Sequence, residues 1–485
     1  MDGVLAPGTL AGLVVLLAAC GDSTAPTPPT AGLALAVGGQ HACAVTDTAT
    51  RCWGAGSEGQ LGIGLTPADT TPVPLSGAPE FILLTGGSSH TCGLDGAGAA
   101  FCWGSNADGQ LGISSGLTQC PLPCATTPQP VAGDLRFRSL AAGADHTCGI
   151  TTGGAAFCWG LNDLGQLGTT GTTETCLDGP CARIPAEVET AKRFTAVTAA
   201  LNHSCALESG GVAYCWGFQA GTTAGGNRIP QYRPQVVAVP GGIAFRQISA
   251  GGWHTCGVAL SGSAYCWGID ALGAGPSVLE SDEPVAVGDG HRFKAVYSGG
   301  STSCGLDLGG VAYCWGPNSN GAVGTEPTGS TVRFDLPTPV SGGLHFVSLA
   351  PGQSTYCGIT TAEMIACWGR GTSGELGTGH QDSSQPVSVP AASASLSAQH
   401  RAREQGHQAE HTRDRGHDAL PLAQLIEVPR GLTGRVQPAQ LARGRQRDEQ
   451  GEQRGHQPGS LHQHQPDAEA RHIAPADLEG QYQPR

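Results

Sequence analysis

Short apolar stretches alternate with polar and glycine-rich segments along most of the chain. In one representative unit, FILLTGG (81–87), HTCGL (90–94) and AFCWG (100–104) are followed by the bend GSNADGQLG (104–112) and then by PQPV (128–131). Each apolar piece has the length of a strand and is too short for a helix. Asn and Gly in the bend favour a tight turn. The pattern therefore predicts a unit of four antiparallel strands.

The unit recurs seven times at a period near fifty residues, and each copy carries the tripeptide Cys-Trp-Gly. Its cysteines are Cys52, Cys102, Cys158, Cys215, Cys266, Cys314 and Cys367. Seven units of four strands predict an all-β fold, a seven-bladed β-propeller over residues 33–390. Stacking around a ring buries the apolar face that a single unit cannot bury alone. The Trp of each motif is predicted to fill the space between neighbouring blades.

Three consecutive elements of the unit resemble the regulator-of-chromosome-condensation repeat. They are Gly-x-x-His-Thr-Cys-x-Leu, then Cys-Trp-Gly-x-Asn-x-x-Gly-Gln-Leu-Gly, then Pro-x-x-Val. The resemblance covers about residues 33–390 and implies a seven-bladed propeller. It weakens in unit four, GFQAGTTAGG (217–226), and in unit five, GIDALGAG (268–275), which both lack the Gln-Leu-Gly bend.

A second cysteine precedes each Cys-Trp-Gly by nine or ten residues. These partners are Cys43, Cys92, Cys148, Cys205, Cys256, Cys304 and Cys357. In unit two, Cys92 and Cys102 are symmetric about Ala97, so that a three-residue turn places them opposite each other. Directly opposed residues of antiparallel strands have Cβ atoms close to disulfide reach. We predict seven disulfides, with a row of buried free thiols as the alternative.

Two further cysteine pairs, Cys120–Cys124 and Cys176–Cys181, lie between the bend and the fourth strand of units two and three. They predict enlarged loops, Ser114 to Thr127 and Thr169 to Ala186, each closed by its own disulfide. A zinc site is the alternative. Because the units are adjacent, the loops should emerge side by side on one rim. We predict that they carry partner binding, with drift in tolerant loops as the alternative.

A histidine stands two residues before the first cysteine in five units, and Thr302 and Thr355 take its place in the last two. The histidines are His41, His90, His146, His203 and His254. A metal-binding ring is one interpretation. We favour hydrogen bonds to local backbone, because blades separate the equivalent positions. We predict no metal and no cofactor.

The N-terminus indicates export and lipid anchoring. Leu10 to Ala19 is an apolar run too short to span a bilayer. It ends in Leu17-Ala18-Ala19-Cys20, which resembles the lipobox of bacterial lipoproteins. The resemblance implies a signal peptide at 1–19, a lipidated (palmitate-bearing) Cys20 and a Thr/Pro-rich tether at 20–32. The segment before the run has no Lys or Arg, which departs from the pattern. An ordinary Cys20 in a buried strand is the alternative.

Nineteen cysteines at regular spacing favour an oxidising compartment. We therefore expect the protein at the bacterial cell envelope, lipid-anchored and facing the periplasm or the exterior. Residues 391–485 are rich in Arg, Gln and His and have no Cys, Trp, Phe or Lys. We expect this tail to be disordered. Its abrupt start favours a reading-frame shift, and a natural tail is the alternative.

The formal charge of −14 argues against nucleic acid as a partner. Nucleophile elbow, phosphate loop and HExxH motifs are absent from the sequence, and we predict that the protein is not an enzyme. The predicted function is an extracytoplasmic, lipid-anchored scaffold that binds a protein or glycan as a monomer. The resemblance also implies guanine-nucleotide exchange and chromatin regulation, which the signal, cysteines and charge disfavour. An enzyme with a site in the central channel is a third possibility.

Overall fold

The computed structural model describes residues 35–390, except for 47–48, 65–67, 115–119, 121, 173, 223–227, 331 and 380. The side chains of 219–222, 228–233 and 289 are likewise not described. The predicted signal peptide, Cys20, the tether and the Arg/Gln/His-rich tail lie outside the described residues.

The described residues form seven antiparallel sheets, and we call each sheet a blade. Six blades have four strands, and blade three has a short fifth strand at its outer edge. Blades one to four comprise β1 (Leu35–Val37), β2 (His41–Val45), β3 (Thr50–Gly54) and β4 (Asp69–Pro74); β5 (Phe81–Gly86), β6 (His90–Asp95), β7 (Ala100–Ser105) and β8 (Cys124–Pro130); β9 (Phe137–Ala142), β10 (His146–Thr151), β11 (Ala156–Leu161) and, after the two-residue β12 (Glu174–Thr175), β13 (Pro180–Glu187); and β14 (Phe194–Ala199), β15 (His203–Glu208), β16 (Ala213–Thr222) and β17 (Arg228–Ala238).

Blades five to seven comprise β18 (Phe245–Ala250), β19 (His254–Ala259), β20 (Ala264–Ile269) and β21 (Glu280–Ala286); β22 (Phe293–Ser298), β23 (Ser303–Asp307), β24 (Ala312–Pro317) and β25 (Arg333–Pro339); and β26 (Phe346–Pro351), β27 (Thr355–Thr360), β28 (Ile365–Gly369) and β29 (Ser383–Ser388). One turn of 3-10 helix spans Gly288–Gly290. The predicted seven-bladed propeller is confirmed, and the strands are the four pieces of the sequence unit. Within the described part of the chain, no helix is long and apolar enough to cross a membrane.

The second and third strands of every blade form a hairpin that sets its two cysteines directly opposite each other, as in Cys92 against Cys102. All seven of these pairs are joined as disulfides, with Cα–Cα distances of 4.0–4.1 Å. The sulfurs are buried. The narrow separation suits a non-hydrogen-bonded pair of an antiparallel ladder.

The Trp of each Cys-Trp-Gly lies between blades, as predicted. Six of the seven side chains are 0% exposed, and Trp267 is 9% exposed. In every blade the ladder between third and fourth strands shifts register at the Trp, as between Cys102 and Gly104. This bulge leaves the Trp without an opposed residue and allows its side chain to face the preceding blade.

The ring closes between blades seven and one by packing. Leu35, Val37 and Trp53 of blade one share a buried cluster with Leu376 and Val389 of blade seven. The indole Nε1 of Trp53 donates to the carbonyl oxygen of Glu375 at 2.8 Å. Because each blade is built from its own stretch of chain, the two ends of the ring meet without sharing a strand.

The antiparallel order gives the ring two different faces. The turns between first and second strands and the bends between third and fourth strands lie together at one end, which we call the upper face. The hairpin turns between second and third strands and the connections between blades lie at the other end, the lower face. The first strands of successive blades contact one another around the central channel.

Candidate functional site

The Gln-Leu-Gly bend on the upper face of one blade holds the Trp of the next. The carbonyl oxygen of Gln60 in blade one accepts from Trp103 Nε1 at 3.0 Å and from Thr91 Oγ1 at 3.2 Å, both in blade two. Gly62 has φ +68°, and a Cβ there would lie 2.9 Å from the Trp103 ring. The bend therefore needs glycine both for its backbone and for the close approach. Gln110 and Gln166 repeat the arrangement.

A buried histidine joins each of the first five blades to the next. The pairs are His41–Thr91, His90–Thr147, His146–Ser204, His203–Thr255 and His254–Ser303, with Nε2 to Oγ distances of 2.7–2.9 Å. The partner is a side chain across the blade interface, so the expectation of a local backbone bond is wrong. The imidazole of His41 packs against Gly38, the residue after its own inner strand, where an added Cβ would lie 2.2 Å from His41 Cε1.

The proton of these imidazoles can be assigned from the network. Thr91 donates its own hydroxyl proton to Gln60, so His41 must donate from Nε2 to Thr91. The Nδ1 atom of His41 then carries a lone pair, and it has no hydrogen-bond partner among the described residues. Burial lowers the pKa of His41 from 6.5 to about 4 and that of His146 to about 3.

The last two blades replace this contact. Thr302 stands in the histidine position of blade six, and Tyr356 stands opposite it in blade seven, where other blades have Thr or Ser. The phenol oxygen of Tyr356 accepts from the backbone N–H of Gly299 at 3.0 Å and so takes the room of the missing imidazole. Between blades seven and one, Thr355 stands in the histidine position and Ala42 in the partner position, and Arg370 Nη2 donates to Gly39 O at 2.6 Å instead. The histidine and its hydroxyl partner in the next blade are thus replaced together, and this joint change is a sequence signal that the two positions are in contact.

The upper mouth of the channel is lined by three residues from each blade, mostly Gly and Ala. Its polar side chains are Ser88, Ser298 and Gln353, and Gln353 Nε2 donates to Ser88 Oγ at 3.0 Å. Among these described residues, no carboxylate, imidazole or thiol lines the mouth. The mouth therefore offers hydrogen-bonding groups but no acid, base or nucleophile.

The two disulfide-closed loops both lie on the upper face. Cys120–Cys124 and Cys176–Cys181 are each joined, and the second cysteine of each pair lies in the fourth strand of its blade. Among their described residues, each loop presents one exposed leucine at its tip, Leu122 at 48% and Leu177 at 59%. The second loop reaches blade two, where the N–H of Asp178 donates to Asp108 Oδ1 at 2.9 Å.

A third apolar group lies on the same face, over blades four and five. Trp253, which is outside the Cys-Trp-Gly motifs, is 40% exposed. Its ring packs edge-on against Phe218 with a centroid distance of 5.2 Å. Trp253 occupies the position immediately before the buried histidine of its blade, at the rim of the channel mouth. We call Leu122, Leu177, Phe218 and Trp253 the upper apolar set.

Carboxylates lie between these apolar groups. Asp145 is next to the channel mouth on blade three, and burial raises its pKa to about 7. Neighbouring Asp108, Asp178, Glu58 and Asp163 raise that pKa further. Burial also raises the pKa of Asp108, against a backbone hydrogen bond from Asp178 that lowers it. The upper face over blades one to three is therefore acidic and short of compensating cations.

The structure thus places the predicted hairpin disulfides and the histidines inside the ring, and the two predicted disulfide-closed loops on its upper face. The eighteen described cysteines form nine disulfides, in the predicted pairs. The five histidines bond hydroxyl groups at separate interfaces. No group of three or more His, Cys, Asp or Glu side chains suited to a metal ion occurs in the described ranges. The sequence pattern did not single out Leu122, Leu177 or Trp253, although each departs from its repeat.

Two protein-family models match the chain, and both are described as Regulator of chromosome condensation (RCC1) repeat. One matches residues 52–94, 97–150 and 153–207, and the other matches 82–110, 137–166 and 245–273. The chain therefore carries RCC1 repeats. The matches lie within residues 52–207 and 245–273, so they omit much of blade four and all of blades six and seven.

Curated relatives resemble part of the chain. The ultraviolet-B receptor UVR8 of Arabidopsis thaliana is 28% identical over 257 residues, which are 51% of this chain and 55% of UVR8. The human E3 ubiquitin-protein ligase HERC2 is 30% identical over 152 residues, which are 30% of this chain and 3% of HERC2. The chain thus spans about half the length of the first relative and a small part of the second.

Solved structures share the fold at low identity. Human WBSCR16 superposes with a TM-score of 0.60 at 18% identity and covers 70% of this chain and 93% of its own. Prp20p from Saccharomyces cerevisiae superposes with a TM-score of 0.57 at 20% identity and covers 70% of this chain and 85% of its own. At this identity the likeness concerns architecture alone.

Proposed function

We propose that this ring of RCC1 repeats is a lipid-anchored scaffold of the bacterial cell envelope, and that it binds a protein or glycan partner with its upper face. The observation that carries the proposal is the upper apolar set, in which Leu122 and Leu177 are held exposed by disulfide-closed loops. Exposed apolar groups on a rigid support are the usual anchors of an interface.

The disulfides favour binding because they reduce the conformational entropy that a loop loses when a partner orders it. The fold itself does not need the loops, since blade five closes on its neighbours without one. Asp178 is exposed beside Leu177, and its carboxylate would select a partner with basic groups around an apolar centre. The scaffold is proposed to act as a monomer. Nucleic acid is not proposed as its partner, because residues 1–390 carry 27 Asp and Glu against thirteen Lys and Arg.

Two other functions have weaker support. Prp20p has binding properties to Gsp1p and histones, and an exchange-factor role would follow that likeness. The acidic upper face argues against contact with nucleic acid, and the nine disulfides favour an oxidising compartment. A central-channel enzyme would need groups that act as acid, base or nucleophile, and we place none at the described mouth. We therefore propose binding and not catalysis.

Anchoring is proposed through Cys20, on the strength of the Leu17-Ala18-Ala19-Cys20 pattern. Cys20→Ala should move the protein from the membrane fraction to the soluble fraction by blocking attachment of the acyl chains. The ring should keep its unfolding midpoint, because Cys20 precedes the first strand by fifteen residues. Fractionation after carbonate washing measures this. Unchanged association with the membrane under those conditions would contradict the lipoprotein assignment.

The binding surface is tested by removing its apolar tips. Leu122→Ser with Leu177→Ser should weaken partner binding at least tenfold, since buried anchors of an interface contribute on the order of 1–2 kcal/mol or more each. The partner would first be recovered from envelope extract by affinity capture, identified, purified and then titrated against each variant. Leu308→Ser, which alters a still more exposed leucine of the lower face, is the control and should bind as the unaltered protein does. Equal loss in both variants would place the site elsewhere.

A further inference from the structure

The lower face carries a group of Lys and Arg side chains, whereas the upper face over blades one to three is acidic. Six of the thirteen Lys and Arg residues of 1–390 stand at the start of the inner strands of four adjacent blades. They are Arg136 and Arg138 in blade three, Arg193 in blade four, Arg246 in blade five, and Arg292 and Lys294 in blade six. The chain as a whole is acidic, so this concentration at one end of the channel is a local feature.

Three of these cations sit on β-bulges. The ladder between first and second strands shifts register at the second residue of the inner strand, which is Arg138, Arg246 or Lys294 in these blades. A bulge directs its extra residue out of the regular alternation. Arg246 donates to the carbonyl oxygen of Phe293 in the next blade, and Lys294 Nζ donates to Phe346 O at 3.1 Å. Both side chains therefore lie across the lower rim of the channel.

Within the described residues, the hydrogen bonds that these cations donate go to backbone carbonyl groups. None of the six forms a salt bridge with a carboxylate of the described residues. The Nε atom of Arg246 is buried and has no hydrogen-bond partner among those residues. Burial lowers the pKa of Arg246 and of Lys294, although Asp307 opposes the shift at Lys294. Cations that form no ion pair and lose part of their hydration favour an external anion.

Exposed leucines accompany the cations at the hairpin tips. Leu260 in blade five is 52% exposed, and Leu308 at the same position of blade six is 76% exposed. Arg292 donates to the carbonyl oxygen of Ser261, so its guanidinium lies beside the Leu260 tip. His345 Nδ1 lies 2.8 Å from the carbonyl oxygen of Gly309, next to the Leu308 tip.

The carboxylates nearest to this region are engaged within their own blades. Asp307 Oδ1 accepts from the N–H of Val311 at 2.8 Å inside the hairpin turn of blade six. Glu208 lies 3.5 Å from Lys192 in blade four. The lower face of blades five and six therefore presents exposed leucines at its hairpin tips, and Arg246, Arg292 and Lys294 lie around them together with Asp307. This combination matches the interface of a bilayer, where acyl chains lie beneath phosphate groups.

The direction of the chain points to the same surface. The first inner strand begins at Leu35 on the lower face, and Cys20 precedes it by fifteen residues. A segment of that length spans at most about 50 Å when fully extended. A ring anchored at Cys20 is therefore held with its lower face within reach of the membrane.

We propose that the lower face of blades five and six docks on anionic phospholipids, with Leu260 and Leu308 entering the interface and Arg246, Arg292 and Lys294 contacting lipid phosphates. The upper face then points away from the membrane, toward its partner. The orientation rests on the anchoring proposed above, but the lipid contact itself does not, because it needs no acyl chain.

The test uses the full chain carrying Cys20→Ala, so that binding does not depend on lipidation. Cosedimentation would be measured with vesicles of phosphatidylcholine and with vesicles of an equal mixture of phosphatidylglycerol and phosphatidylcholine. Binding to the anionic vesicles and its loss as salt rises are expected, because screening weakens contacts with phosphate. Equal binding to both vesicles, or to neither, would overturn the proposal. Tighter binding to soluble polyphosphate, with displacement from vesicles, would overturn it in favour of a soluble anion.

A matched pair of variants locates the contact. Leu308→Ser with Arg292→Gln should reduce binding to the anionic vesicles on the order of tenfold or more, since one juxtamembrane cation contributes about fivefold and the leucine adds to it. Leu177→Ser with Arg183→Gln removes one exposed leucine and one exposed arginine from the upper face, and it should bind vesicles as before. If both variants lose binding equally, the lower face is not the membrane contact. Partner binding is absent from this assay, so its outcome is independent of the upper-face site.

Discussion

Lowering the pH from 7 to 5 should reduce the free energy of unfolding of the ring by on the order of 5 kcal/mol. The effect comes from the five buried histidines, whose pKa values fall to about 3 or 4 in the folded protein. In the unfolded chain the same side chains have a pKa of about 6.5. Each protonated imidazole would have to place its second proton on Nδ1.

The sign follows from proton uptake. Below pH 6.5 the unfolded chain binds protons that the folded ring refuses, so stability is complete above that pH and falls until the folded pKa is reached. Asp145 acts in the opposite sense, because its pKa is raised to about 7 and its protonated form is favoured in the ring. One carboxyl group offsets part of the effect of five imidazoles, and the net loss on acidification remains.

Guanidinium unfolding at pH 7 and pH 5, with the disulfides intact, measures the difference. His90→Thr provides the matched variant, since blades six and seven already carry Thr302 and Thr355 at this position. This variant should have a lower free energy of unfolding at pH 7. Its free energy of unfolding should also depend less steeply on pH, because about one proton fewer is taken up on unfolding. A midpoint that is the same at both pH values, or higher at pH 5, would contradict the assignment of neutral buried histidines.

Trp103→Ala should lower the free energy of unfolding by about 3–5 kcal/mol. The indole is 0% exposed, stacks on Phe81 at 5.5 Å and donates to the carbonyl oxygen of Gln60 at 3.0 Å. Its removal leaves a cavity between blades one and two and takes one of the two donors away from Gln60. Chemical unfolding of the purified variant gives the loss directly.

Trp253→Ala is the control for that experiment, because it removes the same side chain from the surface. It should cost under about 1.5 kcal/mol, which is the range of a partly exposed site. It should also weaken partner binding, which Trp103→Ala should leave intact in whatever fraction remains folded. Similar losses of stability in the two variants would show that the Cys-Trp-Gly tryptophans do not hold the blades together.

The architecture was predictable because one physical pattern is repeated seven times. The His-Thr-Cys and Cys-Trp-Gly pieces fix a hairpin, and the glycine-rich bend after them fixes where the third strand ends. The position of the Trp between blades followed from its size alone. The predicted cysteine pairs followed from register, since residues symmetric about Ala97 must oppose each other.

Contacts between blades could not be predicted from one unit. The partner of His146 is Ser204, which lies one full repeat away, and only the arrangement of the ring brings them together. Thr302 and Tyr356 replace the usual pair of His with Thr or Ser, and this joint replacement indicates that the two positions are in contact. It can be interpreted only once it is known which blades are neighbours. The bulges that turn Arg246 and Lys294 toward the lower rim depend on ladder register, which residue types do not specify.

The sequence analysis selected the two loops that carry Leu122 and Leu177, but it did not single out the exposed leucines themselves, for a related reason. Leu122, Leu177 and Leu308 look like any other apolar residue of a strand-rich chain, and their exposure depends on the turns that present them. The division into an acidic upper face and a lower rim with cations arises from strand direction. The sequence alone shows the net charge of the chain and not its placement.

Site-specific photo-crosslinking in intact bacterial cells tests the upper-face interface most directly. A photoreactive amino acid would replace Leu177 on the upper face and, in a second protein, Leu308 on the lower face. We expect Leu177 to yield a discrete adduct with one protein or glycan, which the Trp253→Ala variant reduces, while Leu308 yields no such adduct. The absence of a specific adduct at Leu177, or the same adduct at both positions, would contradict a binding site on the upper face.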